Sequence, residues 1–230
     1  MAGALPPRPR AIYLGGPDLD YVEREPGPDL APWVQAFWRL RCMRPTSLRV
    51  LPDGCMDIIN GDVVGSLSEP LVADMQPGEE AVGVRLRPGA FTALYGVPAD
   101  ELTDVRVPLA DVVRPRRLRD AARDAAGPDP LAAVAMFTTD VTTLAKRTGY
   151  SARHVRRRVL VASGHSPRKL ARIGRMQALL AAGRGESWAR TAVQFGYYDE
   201  AHMINDVRAL ADATPQMLLA ERATPALPVP

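Results

Sequence analysis

Residues 151–160 read Ser151-Ala-Arg-His-Val-Arg-Arg-Arg-Val-Leu160, and the second half of the chain is organised around them. Four arginines (Arg153, Arg156, Arg157, Arg158) and His154 fall within six positions. Val155 and Val159 recur at i and i+4, so on a helix they share one face and anchor it to a core. Arg153, Arg156 and Arg157 then project from the opposite side, toward a phosphate or a base edge. The stretch in front, Asp140-Val-Thr-Thr-Leu-Ala-Lys-Arg-Thr-Gly149, is a helix with both ends marked. Asp140 is an N-cap, Val141, Leu144 and Ala145 form an apolar stripe, and Gly149 can take the left-handed conformation that ends a helix. Helix, glycine-containing turn and basic helix make a helix-turn-helix, the arrangement of many DNA-binding proteins.

The pattern then repeats. Gly164-His-Ser-Pro167 is a turn, with Ser166 as N-cap and Pro167 at the first helical position. Residues 168–182 continue as a helix, with Leu170, Ile173, Met176 or Gln177, and Leu180 at helical spacing. Ser187-Trp-Ala-Arg-Thr-Ala-Val-Gln-Phe-Gly196 is again a helix ending in glycine, residues 197–199 a turn, and residues 200–210 a second candidate recognition helix. Residues 213–219 restart as 164–170 did. Gly149 and Gly196 are 47 residues apart, and Pro167 and Pro215 are 48 apart. Two helix-turn-helix units therefore stand in tandem, joined by one helix.

The net charge of +3 divides unevenly. Residues 1–113 hold 10 Arg/Lys and 16 Asp/Glu, and residues 114–230 hold 19 and 10. Between 140 and 184 there are 11 basic residues against Asp140 alone, a density that attracts polyanions. A merely solvated face would mix both signs. No run of 18 apolar residues and no charged-then-apolar leader occurs. Two cysteines, Cys42 and Cys55, are too few for a disulfide framework, so the expected compartment is the cytoplasm.

The first half reads differently. After a proline-rich opening (1–10), short strands are predicted at 11–14, 21–24, 37–41, 49–51, 56–60, 63–66 and 81–86. Residues 81–87 alternate best, with Val82, Val84 and Leu86 on one face and Gly83, Arg85 and Arg87 on the other. Short helices are predicted at 30–36, 89–95 and 99–102. The fold expected is an α+β N-terminal domain, a small strand-rich sandwich or barrel-like module with short helices, followed by an all-α domain. The divisions are 1–113 for the strand-rich sensor or dimerisation domain, 114–127 for a charged connecting helix, 128–222 for the tandem helix-turn-helix domain, and 223–230 for a proline-rich tail.

Tandem units at this spacing resemble the AraC/XylS family of transcription regulators. The matching pieces are Leu-Ala-Lys-Arg-Thr-Gly-Tyr-Ser-Ala-Arg-His-Val-Arg-Arg (144–157), Gly-His-Ser-Pro (164–167), Phe-Gly-Tyr-Tyr-Asp-Glu-Ala-His (195–202) and Ala-Thr-Pro (213–215). The resemblance covers roughly residues 131–221. Val-Leu-Pro-Asp-Gly-Cys-Met-Asp-Ile-Ile (50–59) looks like part of the sensor-like domain ahead of this module in many actinobacterial members. The resemblance implies DNA contacts from Arg153, Arg156 and Arg157 in the first unit, with Val155 and Val159 in the core. In the second it implies contacts from Glu200, Ala201, His202 and Asn205. Arg208 is a further candidate. The chain has Met203 and Val207 where the family usually has large aromatics, and its second unit is net acidic, so the first unit is expected to dominate the reading of DNA.

Arginine can bridge the N7 and O6 acceptors of guanine, and arginines that miss a base edge find phosphate. Arg147, Arg158, Arg168, Lys169 and Arg172 are placed in the phosphate class. Glu200 either accepts from a cytosine amine or stabilises the start of its own helix. In the first half, Asp53, Cys55 and Asp57 alternate. They form either an effector pocket or thiol site, or an Asp-Gly turn leading into an ordinary strand with Cys55 packed. Arg85 and Arg87 either hold an anionic ligand or cover a solvated face. Trp33, Phe37 and Trp38 are core, or else line an apolar pocket or dimer surface. The three histidines, His154, His165 and His202, have no ligand spacing, so no metal and no cofactor is expected. No Walker-type loop, Gly-x-Ser-x-Gly or Rossmann fingerprint occurs.

The function expected is a non-enzymatic, sequence-specific regulator that reads the major groove mainly through residues 151–162. Candidate partners beyond duplex DNA are RNA polymerase, a small-molecule effector and a second copy of the chain; no membrane partner is expected. The alternatives are an architectural or protein-interaction DNA-binding factor and, ranked lower, an enzyme with Cys55 as nucleophile.

Overall fold

The structure, a computed structural model, describes residues 13–14, 18–114, 117–138 and 140–222. The proline-rich opening, Ala11 and Ile12 of the first expected strand, Pro115 and Arg116 of the expected connecting helix, and the tail 223–230 lie outside the described residues.

Strands come first. They are β1 (Tyr13–Leu14), β2 (Leu19–Arg24), β3 (Val34–Cys42), β4 (Thr46–Val50), β5 (Met56–Ile59), β6 (Asp62–Val64), β7 (Leu71–Met75), β8 (Glu80–Leu86) and β9 (Arg106–Pro108). They form a three-stranded sheet in the order β1-β4-β7 and a six-stranded sheet in the order β2-β3-β8-β5-β6-β9. Every pairing is antiparallel. Along β3 the alternation is visible in burial: Ala36, Trp38, Leu40 and Cys42 are buried, while Arg39 and Arg41 are exposed. Leu19, Trp38, Leu40, Cys42 and Leu48 make a core between the sheets. The other face of the larger sheet is covered by α1 (Ala90–Tyr95), a 3-10 turn (Ala99–Glu101), α2 (Leu109–Val112) and α3 (Leu118–Asp124). The charged stretch expected to connect the halves thus supplies α3, which packs Leu118, Ala121 and Ala122 into this first core.

Residues 30–36, expected as a helix, are a turn followed by the start of β3. Leu30 N donates to Gly27 O and Val34 N to Leu30 O, and then Val34 pairs with Leu86. Their helix-like apolar spacing is overridden by nonlocal pairing with β8. Strands β7 and β9 and helix α2 were absent from the expected elements.

The helical half comprises α4 (Pro130–Ala135), α5 (Val141–Thr148), α6 (Ala152–Ser163), α7 (Pro167–Ala182), α8 (Trp188–Gln194), α9 (Glu200–Ala211) and α10 (Pro215–Arg222). The fold is therefore α+β followed by all-α. Side chains of Asp140, Ser151, Ser166, Ser187 and Asp199 cap the N-termini of α5, α6, α7, α8 and α9. Each such cap contributes about 1 kcal/mol. Gly149 and Gly164 end α5 and α6 at φ 73° and 78°. Leu144, Val155, Val159, Ile173, Met203 and Val207 meet in one core. No helix among the described residues is long and apolar enough to cross a membrane.

The two halves share a seam at the C-terminus of α6, where a helix leaves its last carbonyls without intrahelical partners. Hydroxyls of the strand-rich half satisfy three carbonyls here: Thr92 Oγ1 donates to Val161 O (3.1 Å), Ser66 Oγ to Ser163 O (2.8 Å) and Thr103 Oγ1 to Gly164 O (3.1 Å). Gln177 of α7 donates to Pro52 O at 2.7 Å, and Leu51 joins the helical core.

His165 is buried at the same seam. Burial, reinforced by the Lys169 charge and opposed by Asp104, lowers its pKa from 6.5 to about 4. The folded protein therefore favours neutral His165, and the stability this contributes is full above pH 6.5 and lost as pH falls toward 4. The gap in unfolding free energy between wild type and His165→Gln is expected to narrow by roughly 3 kcal/mol from pH 7 to pH 4. Urea midpoints at both pH values measure it, and a gap independent of pH would refute the assignment.

Candidate nucleic-acid interface and ligand cavity

Helix α6 has two unlike ends. Its C-terminal turn is held in the seam, whereas its first two turns carry Arg153, His154, Arg156 and Arg157 into solvent. Buried Val155 and Val159 fix the rotation of the helix, so these basic side chains stand opposite the core, as their spacing predicted. Arg153, Arg156 and Arg157, with Leu160, Ser166 and Pro167, border a shallow depression of about 310 Å³. Arg147 and Arg168 are exposed beside this face, and Lys169 is half-buried.

Two arginines expected on the DNA-facing side are engaged within the protein. Arg158 donates through Nε to Asp129 Oδ2 at 3.0 Å, its Nη2 lies 2.9 Å from the same oxygen, and its guanidinium lies over the Tyr150 ring. Arg172 pairs with buried Asp206 of α9 at 2.6 Å, and Arg175 approaches the same carboxylate at 3.6 Å. These contacts fasten α6 to the start of α4 and α9 to α7. Sequence spacing placed both residues on the basic stretch; their partners lie 29 and 34 residues away.

In the second unit Ala201, His202, Asn205 and Arg208 are exposed and Glu200 is half-buried at the first position of α9. His202 Nδ1 accepts from Tyr198 N at 3.1 Å, so the ring closes the turn before its helix. Met203 and Val207 are fully buried and fill the core without aromatic rings.

A second feature lies between the two sheets. A cavity of about 650 Å³ has walls of Leu48, Val50, Ile59, Leu67, Ala73 and Met75. Asp53, Cys55, Asp57 and Arg85 line its polar end. Register explains the meeting: Asp57 of β5 lies opposite Arg85 of β8, and both point between the sheets. Asp53 and Cys55 precede the strand, in a turn where Asp53 Oδ1 accepts from Cys55 N at 2.8 Å. The Asp-Gly turn and the pocket thus coexist. Arg85 contacts Glu23 at 3.2 Å, Asp53 at 3.3 Å and Asp57 at 3.6 Å. Trp38 Nε1 donates to Asp57 Oδ1 at 2.7 Å. Its indole crosses Gly83, where a Cβ would stand 2.3 Å from the ring, so only glycine admits it. Glu23 belongs to this cluster but was absent from the expected site. Its alternation with Tyr21 along β2 was the available signal. Arg87, expected beside Arg85, does not line the cavity; its Nε donates to Ala31 O at 2.7 Å.

The electrostatics are unusual for a buried site. Asp57 is raised to about 6, first by burial and then by Asp53, against the pull of Arg85. Burial pushes the Cys55 thiol up, with Asp53 adding to it, and its Sγ lies 3.2 Å from the Gln35 amide oxygen. A thiol held protonated beside carboxylates is a poor nucleophile. No group of three or more His, Cys, Asp or Glu able to hold a metal occurs among the described residues.

Residues 22–108, from within β2 to the end of β9, match the family described as Domain of unknown function (DUF6597). That span contains Glu23, Asp53, Cys55, Asp57 and Arg85. No curated protein matches the chain. No solved structure matches it either.

Proposed function

We propose that the chain is a sequence-reading, duplex-DNA-binding transcription regulator of AraC/XylS type whose strand-rich half binds a small effector. The observation that carries the reading is the exposed Arg153, Arg156 and Arg157 face on the first turns of α6, preceded by α5 and a glycine turn and repeated by α8 and α9. The first turns of a recognition helix enter the major groove, and guanidinium groups there reach guanine edges. Arg147, Arg168 and Lys169 contact flanking phosphate. Arg158 and Arg172 position helices instead. The second unit, with Asn205 and Arg208 outward, adds orientation more than affinity.

The seam supplies a route between the halves. Gly65, Leu67, Asp104 and Val105 line the cavity, while Ser66 and Thr103, adjacent to them in the chain, hold the last carbonyls of α6. Leu51 touches both the cavity and the helical core. An effector that shifts these wall segments shifts α6 with them. This coupling is more direct than one through residues 114–127. A Cys55 enzyme is disfavoured, since the thiol has a raised pKa and no imidazole in the strand-rich half to activate it.

The test is binding to fragments of the protein's own upstream region over a salt series, wild type against Arg156→Ala. A preferred fragment is expected, and the variant should lose roughly 5- to 150-fold mainly on that fragment, as for about 1–3 kcal/mol per bidentate base contact. Uniform weakening with a shallower salt slope would make Arg156 a phosphate contact. Equal affinity for scrambled and genuine fragments would favour an architectural factor. Absence of binding by folded protein, with or without cavity ligands, would overturn the reading.

A further inference from the structure

The inter-sheet cavity is large enough for a drug-sized molecule, within the 300–1,000 Å³ range of small-molecule sites. Its walls are mainly aliphatic, with Asn60, Glu79, Glu80, Asp104 and Arg106 also in the lining, so the body of an occupant is mainly apolar. What distinguishes it is the charge at its polar end. Glu23, Asp53 and Asp57 surround one guanidinium, leaving two negative charges in excess when all are ionised. The exposure of these groups to the cavity is also unequal. Asp53 and Asp57 keep 16% and 14% of their side-chain surface accessible, but Arg85 keeps only 2%. Arg85 lines this end too but is almost wholly covered, so a molecule entering the cavity meets the carboxylates more than the guanidinium. Arg87, the other basic group on this strand's end, is directed to Ala31 O outside the lining.

This arrangement does not suit an anionic ligand, which would have to displace carboxylates from Arg85; Arg106, the other guanidinium among the described lining residues, is already paired with Asp62 at 2.8 Å. A neutral ligand leaves the excess charge as it stands. A cation relieves it: buried ion pairs are favourable where each charge gains partners and hydrogen bonds. We infer that the cavity between the two sheets binds a small organic cation, an aliphatic or aromatic body carrying an ammonium or amidinium group, with the cationic head between Asp53 and Asp57 and the body against Leu48, Val50, Leu67 and Met75. Trp38 Nε1 holds one Asp57 oxygen, which leaves the other carboxylate oxygen of Asp57 for the head group. Cys55, protonated and bonded to Gln35, serves as a small wall residue. The inference rests on the reading of the strand-rich half as a ligand-binding unit and is independent of DNA recognition.

The experiment uses the full chain and a matched panel: 2-phenylethylamine and 1-naphthylmethylamine beside the alcohols and carboxylates of the same skeletons. Binding is read by isothermal titration and by the shift in melting temperature. Saturable binding of the amines is expected, at least tenfold tighter than the alcohols, with none for the carboxylates. Asp57→Asn, which keeps an acceptor for Trp38, should weaken the amines at least tenfold while leaving the alcohols unchanged. If that variant does not fold, Asp53→Asn provides the same comparison. Ala73→Phe fills the cavity with the charges intact and should abolish amine binding. Equal affinity of amines and alcohols, or a preference for carboxylates, would overturn the cationic class while leaving the cavity as a ligand site. Amine binding that survives Ala73→Phe would assign it to surface acids and overturn the site. If no member of the panel binds, both the class and the ligand-binding reading fall. The DNA reading is decided separately by the Arg156→Ala series.

Discussion

Gly174→Ala is expected to cost about 3 kcal/mol or more, the largest loss from a single methyl group anywhere in the helical half. Gly174 sits in the middle of α7, fully enclosed, where a Cβ would lie 1.9 Å from Met136 O and 2.9 Å from Met136 C. These are backbone atoms at the end of α4, so no rotamer change relieves the contact. The helices must separate by over an ångström, and overpacking of this kind typically costs 1–3 kcal/mol even where side chains can yield. Alanine's helix propensity offsets only about 1 kcal/mol. The damage also travels: α4 packs against α6 and carries Asp129 at its start, the partner of Arg158. A Gly174→Ala protein should therefore unfold at lower urea with an unchanged m-value, and, on the proposed reading of the helical half, its surviving folded fraction should bind DNA less well. Gly185→Ala is the control, since its Cβ would meet only Thr191 Oγ1 at 3.2 Å, and it should stay within about 0.5 kcal/mol of wild type. A Gly174→Ala midpoint indistinguishable from that control would show that α4 and α7 are not fixed as described.

The close approach of α4 and α7 is one thing the sequence does not announce, and the reason generalises. The helix starts and faces of the second half were legible. Asp140 and Ser166 were readable as N-caps, and each accepts from the backbone N–H three positions ahead; Ser151 and Ser187 cap their helices in the same way. The opposition of Val155 and Val159 to Arg153, Arg156 and Arg157 follows from the period of a helix alone. What depended on partners far along the chain was not legible. Residues 30–36 have helix-like spacing, yet β8, some fifty residues on, draws their second half into a sheet. β7 carries exposed Leu71 and Val72, so it lacks the alternation that reveals a strand, and its partner β4 lies some 25 residues back.

The candidate sites divide along the same line. Asp53, Cys55 and Asp57 were readable as a group because they alternate within five residues. Arg85 joins them through cross-strand register, and Glu23 through an ion pair spanning 62 residues. The relation of Arg85 to its acids was the decisive unknown, because an exposed arginine would favour an anion and an enclosed one does not. Similarly, Arg158 and Arg172 sit in the most basic segment of the chain, and only Asp129 and Asp206 reveal that they are structural.

Arg85→Met should be the most damaging charge substitution in the strand-rich half. The methionine keeps the apolar stem but leaves Glu23, Asp53 and Asp57 facing one another without their shared cation. Removing one partner of a buried ion pair typically costs about 3–5 kcal/mol, because the remaining charge stays desolvated and unpaired. The pH dependence identifies the cause. Asp57 is already raised from 3.8 to about 6, so in wild type its ionisation weakens the fold as pH rises from 4 to 6. That slope is opposite in sign to the one from His165. Without the pull of Arg85 the Asp57 pKa rises further, and the variant's deficit should be largest at pH 8 and shrink as the solution is acidified below 6. Urea midpoints of wild type and variant at pH 5 and pH 8 measure this. A deficit equal at both values would mean lost packing of the arginine stem, not stranded carboxylates. Adding Asp57→Asn to Arg85→Met should restore part of the stability at pH 8, since one of the stranded charges is gone. An amine from the matched panel should stabilise Arg85→Met more than it stabilises wild type, because the cation then supplies the charge that the arginine had provided.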